Sequence, residues 1–378
     1  MKTLKLGLGL ICMLILASNI VTMSRWSEAR GVYDDVCYLR QAHLFQRFGV
    51  SGLDTNAARD DDHYFEGKLK EIAFAEWRDP SRWPCHTPMP GNRFVLQYPP
   101  GTGFMLALFP QGHQVVPLYV IANLIVCCFA LLGIFYGWSP SSILGAGSLG
   151  ALAVYLMINP TKASYSIAPT MMVSAAAGFL TALWLVKANR SALLPIVIGL
   201  LLGLSVNFRL PNLFLAAGYL LFLGIAFLGM RRITTLLQGL GFGVAFVVGM
   251  APTLIANAIN AGSPLSTTYG SVDVVAPQFS LEILRQYLRD MQFGLIVLAV
   301  GSTAWLLVRA REGGVWHVAF VAAGNLLVNL AFFLSHPIFT PYYMMPIAML
   351  SLWSLSFAWL MQPVKPIERS SHARAATV

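Results

Sequence analysis

Ten apolar stretches joined by polar links decide most of what this chain can become. They run, approximately, over 6–23, 118–136, 142–158, 167–186, 193–208, 213–228, 236–259, 291–308, 316–334 and 343–360. Each is near the length needed to cross roughly 30 Å of hydrocarbon as a helix. Lipid offers the backbone no hydrogen-bond partner, so such segments must satisfy their amides internally, and helices do this. Leu193 to Leu228 is too long for one crossing. Asn207-Phe208-Arg209-Leu210-Pro211-Asn212 interrupts it with a charge, a proline and two asparagines, which predicts two helices and a turn. Charged residues make up only 11% of the chain, against about 25% in a soluble domain. The expected fold is an all-α integral membrane protein of about ten transmembrane helices. It forms a single polytopic domain over 1–378, with a large loop over 24–117, a bundle over 118–361 and a polar, disordered tail over 362–378.

The cations orient it. Lys2, Lys5, Lys187, Arg190, Arg231, Arg232, Arg309, Arg311, Lys365, Arg369 and Arg374 fall on one side. The other side holds Lys162 and Arg209 on short connections, and Arg285 and Arg289 on a longer one. The positive-inside rule then predicts two cytoplasmic termini and an outside loop. Lys2 and Lys5 before an apolar run also suit a signal peptide, but no small-x-small site follows, so an uncleaved first helix is expected. The net charge of +9 is spread over loops rather than gathered in a basic, aromatic-studded tract, which argues against a nucleic-acid partner. Cys12, Cys127 and Cys128 lie in apolar runs, as small buried hydrophobes do. Cys37 and Cys85 lie in the loop, where an oxidising compartment would permit a disulfide that sequence alone cannot establish.

The loop also gathers the carboxylates. Of sixteen acidic residues in the chain, eleven lie between Arg25 and Gly103: Glu28, Asp34, Asp35, Asp54, Asp60, Asp61, Asp62, Glu66, Glu71, Glu76 and Asp79. Asp34 and Asp35 open a helix predicted to reach about Phe48. Aspartate caps helices well, and a carboxylate suits the positive end of the dipole. A single cap needs only one of the two, so catalysis and capping both stand as readings of the pair. Along the same helix Arg40, His43 and Arg47 share one side, which predicts an interfacial helix with its cations toward phosphate headgroups.

Asp60-Asp61-Asp62-His63, with His86 in the same loop, offers oxygen and imidazole ligands for Mg²⁺, Mn²⁺ or Zn²⁺; a solvated charge run is the plainer reading. Arg209 between two apolar helices suits a phosphate through its planar fork, or else snorkels to the interface. Lys162, Arg285 and Arg289 are lesser phosphate candidates, with Glu282 placed to pair with Arg285. Ser335-His336-Pro337 and Thr340-Pro341-Tyr342-Tyr343 mark the last outside turn, where tyrosines serve as interfacial anchors. No nucleophile elbow, P-loop, HExxH motif or dinucleotide fingerprint occurs.

The combination resembles the GT-C superfamily of polytopic glycosyltransferases, in particular the protein mannosyltransferase and aminoarabinose transferase branch. The residues that carry the resemblance are Tyr33-Asp34-Asp35-Val36-Cys37-Tyr38-Leu39 after a first membrane helix, then Gln97-Tyr98-Pro99-Pro100-Gly101 leading into a helix. The outside segment from Asn257 to Gly270, which includes Tyr269, is similar to one common in bacterial members. The second acid is aspartate where many relatives have glutamate. The resemblance implies a bacterial plasma-membrane enzyme that takes sugar from a polyprenyl-phosphate donor and gives it, with inversion, to a lipid, glycan or protein. It implies Asp34 as general base and Asp35 as orienter or cation ligand. It also implies Arg209, Arg40 and His43 near the lipid phosphate, with Tyr98 and Tyr269 in the substrate site. A divalent metal is an open expectation. The competing classes are a non-catalytic scaffold and a transporter of lipid-linked glycans; a transporter would carry ionisable residues inside its spans, and these spans are almost free of them.

Overall fold

The computed structural model describes residues 1–28, 33–159, 164–187, 193–270, 276–310, 313–336, 338–339 and 341–362. Lys162, Arg190, Arg311, Pro337, Thr340, Lys365, Arg369 and Arg374 lie outside the described residues. The chain is a multi-pass membrane protein. Among the described residues, seven helical segments are long and apolar enough to cross a membrane. They are α1 (Lys2–Met23), α5 (Val115–Tyr136), α7 (Ile167–Val186), the segment Leu210–Met230, α10 (Ile233–Ala261), α12 (Phe293–Ala310) and α13 (Gly314–Ser335). Three shorter apolar helices, α6 (Pro140–Leu156), α8 (Leu193–Val206) and α14 (Met344–Leu360), coincide with the other three apolar stretches of the sequence. The segment Leu210–Met230 differs from expectation in its first third: Leu210–Ala216 is a 3-10 helix, and only α9 (Ala217–Met230) is α-helical.

Small residues and side-chain amides hold the bundle together, as expected where lipid and side chain are equally apolar. Gly199 and Gly203 on α8 face α10. A Cβ at either would lie 2.4 or 2.1 Å from the carbonyl oxygen of Phe242 or Phe246, so only glycine permits this approach. Asn19 on α1 donates to Asn123 Oδ1 on α5 at 2.9 Å and to the Val154 carbonyl on α6 at 2.7 Å. Cys12 and Cys127 are buried as expected, whereas Cys128 lies on an exposed face of α5.

The loop is folded. It contains α2 (Tyr33–Phe48), α3 (Tyr64–Glu71), the antiparallel strands β1 (His86–Met89) and β2 (Arg93–Leu96), and the short α4 (Gly101–Ala107). Val36, Cys37, Phe65, Leu69, Trp83 and Leu96 form its own apolar core. Cys37 and Cys85 are joined in a disulfide, with Cα atoms 6.5 Å apart. The loop is also tied to the bundle. Asn260, near the end of α10, accepts from the Thr55 amide at 3.0 Å and donates to the Leu53 carbonyl at 2.8 Å. The remaining helix on this side, α11 (Leu281–Arg289), precedes α12.

Candidate active site

Consecutive residues on a helix point about 100° apart, so the two aspartates at the start of α2 separate. Asp35 is fully buried, and its Oδ1 accepts from the Tyr165 amide at 3.1 Å, fixing α2 to the segment before α7. Asp34 is half-buried and accepts from the Tyr98 hydroxyl at 2.6 Å. The Tyr98 ring stacks on Tyr38, 5.0 Å between centroids, and meets Tyr269 edge-on at 6.2 Å. The fold thus places Asp34, Tyr98 and Tyr269 together, while Asp35 points away and holds the Tyr165 backbone.

Arg209 joins the same cluster. It is 4% exposed, and its Nε and Nη1 have no hydrogen-bond partner among the described residues. Its guanidinium lies 3.4 Å from the ring centre of Tyr343 and 5.1 Å from that of Tyr342. It therefore does not snorkel outward, and with Asn212, Asn329, Phe333 and Tyr343 it lines a small pocket. The hydroxyls of Tyr38, Tyr342 and Tyr343 each feel both Arg209 and Asp34. Burial pushes all three, and Tyr98, above the ordinary phenol range, with the Asp34 charge adding to the effect. At neutral pH these phenols stay protonated. They are neutral donors around one carboxylate and one buried guanidinium that has two nitrogens without hydrogen-bond partners, which is chemistry suited to a phosphate ester beside a nucleophilic hydroxyl.

The turn that presents Arg209 is fixed by Asn207. Pro252 breaks the backbone ladder of α10, and the Asn207 amide takes both ends of the neighbouring rung. Its Oδ1 accepts from the Thr253 amide at 2.9 Å, and its Nδ2 donates to the Gly249 carbonyl at 2.7 Å. The Asn207 carbonyl in turn accepts from the Gly101 amide at 2.7 Å. A Cβ at Gly101 would lie 2.8 Å from that carbonyl oxygen, so the glycine of the Pro-Pro-Gly run is needed for contact with the Arg209 turn. Beside this junction an almost wholly apolar groove of about 620 Å³ opens between α2, α4, α8 and α10. Pro100, Gly101, Phe104, Asn207, Phe208 and Pro252 line it, and Phe208 is the residue before Arg209.

Arg40 and His43 lie elsewhere, correcting the expected headgroup-facing stripe. Arg40 is fully buried, donates to the Thr55 and Asn56 carbonyls at 2.9 Å each, and packs over Phe65 and Trp83. His43 bonds Asp62 at 2.7 Å and stacks on Tyr64. The acidic run divides likewise. Asp60 accepts from the Phe65 and Glu66 amides at the start of α3, Asp61 pairs with Arg47, and Asp62 with His43. His63 is exposed, 3.3 Å from Glu66. His86 is half-buried, its Nδ1 2.8 Å from the Pro84 carbonyl and its Nε2 buried. These donors diverge rather than converge, and among the described residues no three His, Cys, Asp or Glu side chains form a metal-binding group.

Sequence reading missed Tyr38, Tyr342 and Tyr343 as parts of the site. The signal was present in the Pro341-Tyr342-Tyr343 run, but tyrosine at a membrane boundary has an anchoring role that produces the same pattern. In comparisons with known proteins, no family model, no curated protein and no solved structure matches the chain.

Proposed function

We propose that the protein is an inverting glycosyltransferase of the GT-C type. On this reading it moves a sugar from a polyprenyl-phosphate donor to a lipid, glycan or protein acceptor at the extracytoplasmic face of a bacterial plasma membrane. The observation that carries the reading is the pairing, around one set of phenols, of the Tyr98-held Asp34 carboxylate with the buried Arg209, whose Nε and Nη1 have no hydrogen-bond partner among the described residues. The apolar groove supports it, since its lining includes Asn207 and Phe208 of the turn that carries Arg209, so a prenyl chain lying there would end near that turn. The Cys37–Cys85 disulfide supports the outside placement of the loop, because such bonds persist in oxidising compartments.

The reaction follows from these positions. The acceptor hydroxyl oxygen attacks the anomeric carbon, and the bond from that carbon to the phosphate oxygen breaks. The hydroxyl proton passes to Asp34, and the electron pair of the broken bond leaves with the lipid phosphate, whose charge Arg209 stabilises. Asp35, through Tyr165, holds the helix that aims Asp34. The test is transfer of labelled sugar from a panel of polyprenyl-phosphate donors by the purified protein in lipid, beside its Asp34→Asn variant. Turnover by the wild type that the variant lacks is the expected result. Turnover by neither, across all donors and acceptors, would remove the reading.

A further inference from the structure

Helix α11 has three faces. Its inner face packs on the protein: Tyr287 is 3% exposed, and its ring meets Phe339 at 4.8 Å. A second stripe is polar and carries Glu282, Arg285, Gln286 and Arg289. The third is apolar and uncovered. Leu281 and Leu288 are 61% and 49% exposed, and Phe279 and Met291, flanking the helix, are 68% and 65% exposed. Apolar area of this extent on one short element is unfavourable in water. The spanning helix α12 starts at Phe293, immediately beyond Met291 and Gln292, so α11 ends at the membrane boundary. The arginines are also available: among the described residues Arg285 and Arg289 make no ion pair, and Glu282, expected to pair with Arg285, instead accepts from Gln286 at 3.4 Å.

We propose that α11 is a lipid-binding helix of the loop-side leaflet, with Leu281 and Leu288 in the acyl region and Arg285 and Arg289 on the phosphates of anionic phospholipids. An apolar stripe beside a cationic one is the signature of a helix lying in the interface, and the charge matches an anionic headgroup. The contact reaches inward, because Tyr287 belongs to the apolar cluster that contains Phe333 and Tyr343, the residue stacked on Arg209. The inference does not depend on sugar transfer.

Two measurements on the full chain test it. In the first, Leu288→Cys is labelled with a fluorophore after alanine replaces Cys12, Cys127 and Cys128, and the protein is placed in phosphatidylcholine nanodiscs with and without phosphatidylglycerol. Nitroxide-bearing lipid should quench the fluorophore, and a water-soluble quencher should not. In the second, the preference of the protein for spin-labelled phosphatidylglycerol over phosphatidylcholine is compared with that of an R285Q/R289Q variant. Each arginine near an anionic surface contributes roughly a fivefold preference, so the double variant should lose about 25-fold. Aqueous quenching at position 288, or protection from both quenchers by a covering protein, would overturn the proposal. So would an unchanged lipid preference in the double variant. The depth measurement keeps both arginines, and so stands even if the double variant misfolds.

Discussion

The Tyr98 hydroxyl donates to Asp34 Oδ1 at 2.6 Å, which joins the residue before Pro99-Pro100 to the first turn of α2. An asparagine at position 34 keeps an oxygen for that donor but cannot take a proton. Asp34→Asn should therefore insert and unfold like the wild type while sugar-transfer turnover falls by about 10²–10⁴-fold. Single-turnover kinetics beside thermal unfolding separates this from capping, for which the same variant would cost at most about 1 kcal/mol and leave the rate intact. Tyr98→Phe keeps the carboxylate and frees its orientation, so its loss of turnover should be the smaller of the two.

Arg209 should respond to shape as well as to charge. Its two unpartnered nitrogens present a planar fork that lysine lacks. In donor titrations Arg209→Ala should raise KM most, and Arg209→Lys should recover only part of the loss. Equal KM values in wild type and both variants would leave the buried arginine without a role in donor binding.

Gly101→Ala tests the turn that holds Arg209 without altering any charge. The added methyl group meets the Asn207 carbonyl at 2.8 Å. Overpacking of this kind costs roughly 1–3 kcal/mol. The variant should show a lower Tm and weaker donor binding together, with Asp34 untouched.

His86 gives the loop a pH dependence. Burial first, and the Arg40 charge second, hold its imidazole well below the ordinary value of 6.5. The folded loop thus binds fewer protons than the unfolded one. The contribution is fully present above pH 6.5 and is lost as pH falls through it, by about 1.4 kcal/mol per pH unit until the folded imidazole itself titrates. Thermal unfolding between pH 7 and 5 should show this slope in the wild type and a shallower one in His86→Leu.

How far the sequence revealed this depended on which force set the pattern. Lipid imposes run length directly, so the apolar helices were legible almost to their ends, and the start of α2 at Tyr33, one residue before the expected Asp34, followed from its paired acids. Contacts between distant segments leave no such pattern. Asp60, Asp61 and Asp62 are adjacent in sequence, yet a turn sends each to a different partner. Arg40, His43 and Arg47 looked like a lipid-facing stripe because the residues that engage them lie further along the loop. The hairpin of β1 and β2 was missed because its strands are only four residues each, one of them containing Pro88.

The disulfide should carry much of the loop's stability. Cys37 and Cys85 are 48 residues apart, and closing a loop of that length in the unfolded chain is worth about 4 kcal/mol. Replacing both cysteines with serine should lower the unfolding temperature and expose the cluster around Phe65 and Trp83 to protease before the spanning helices are cut.

The Asn260 clamp has a consequence for biosynthesis. Thr55 is bonded to a side chain 205 residues further along the chain. At translation rates of about 5–20 residues per second, roughly 10–40 s separate the emergence of the two. On the proposed topology the loop has by then crossed the membrane, yet through that interval the Thr55 amide and the Leu53 carbonyl still lack the partner that seals them. A nascent chain stalled before α10 would therefore display a partly open loop to envelope proteases and thiol oxidases, whereas one released after α10 would not. The order of synthesis makes α10 the element that completes the outer surface.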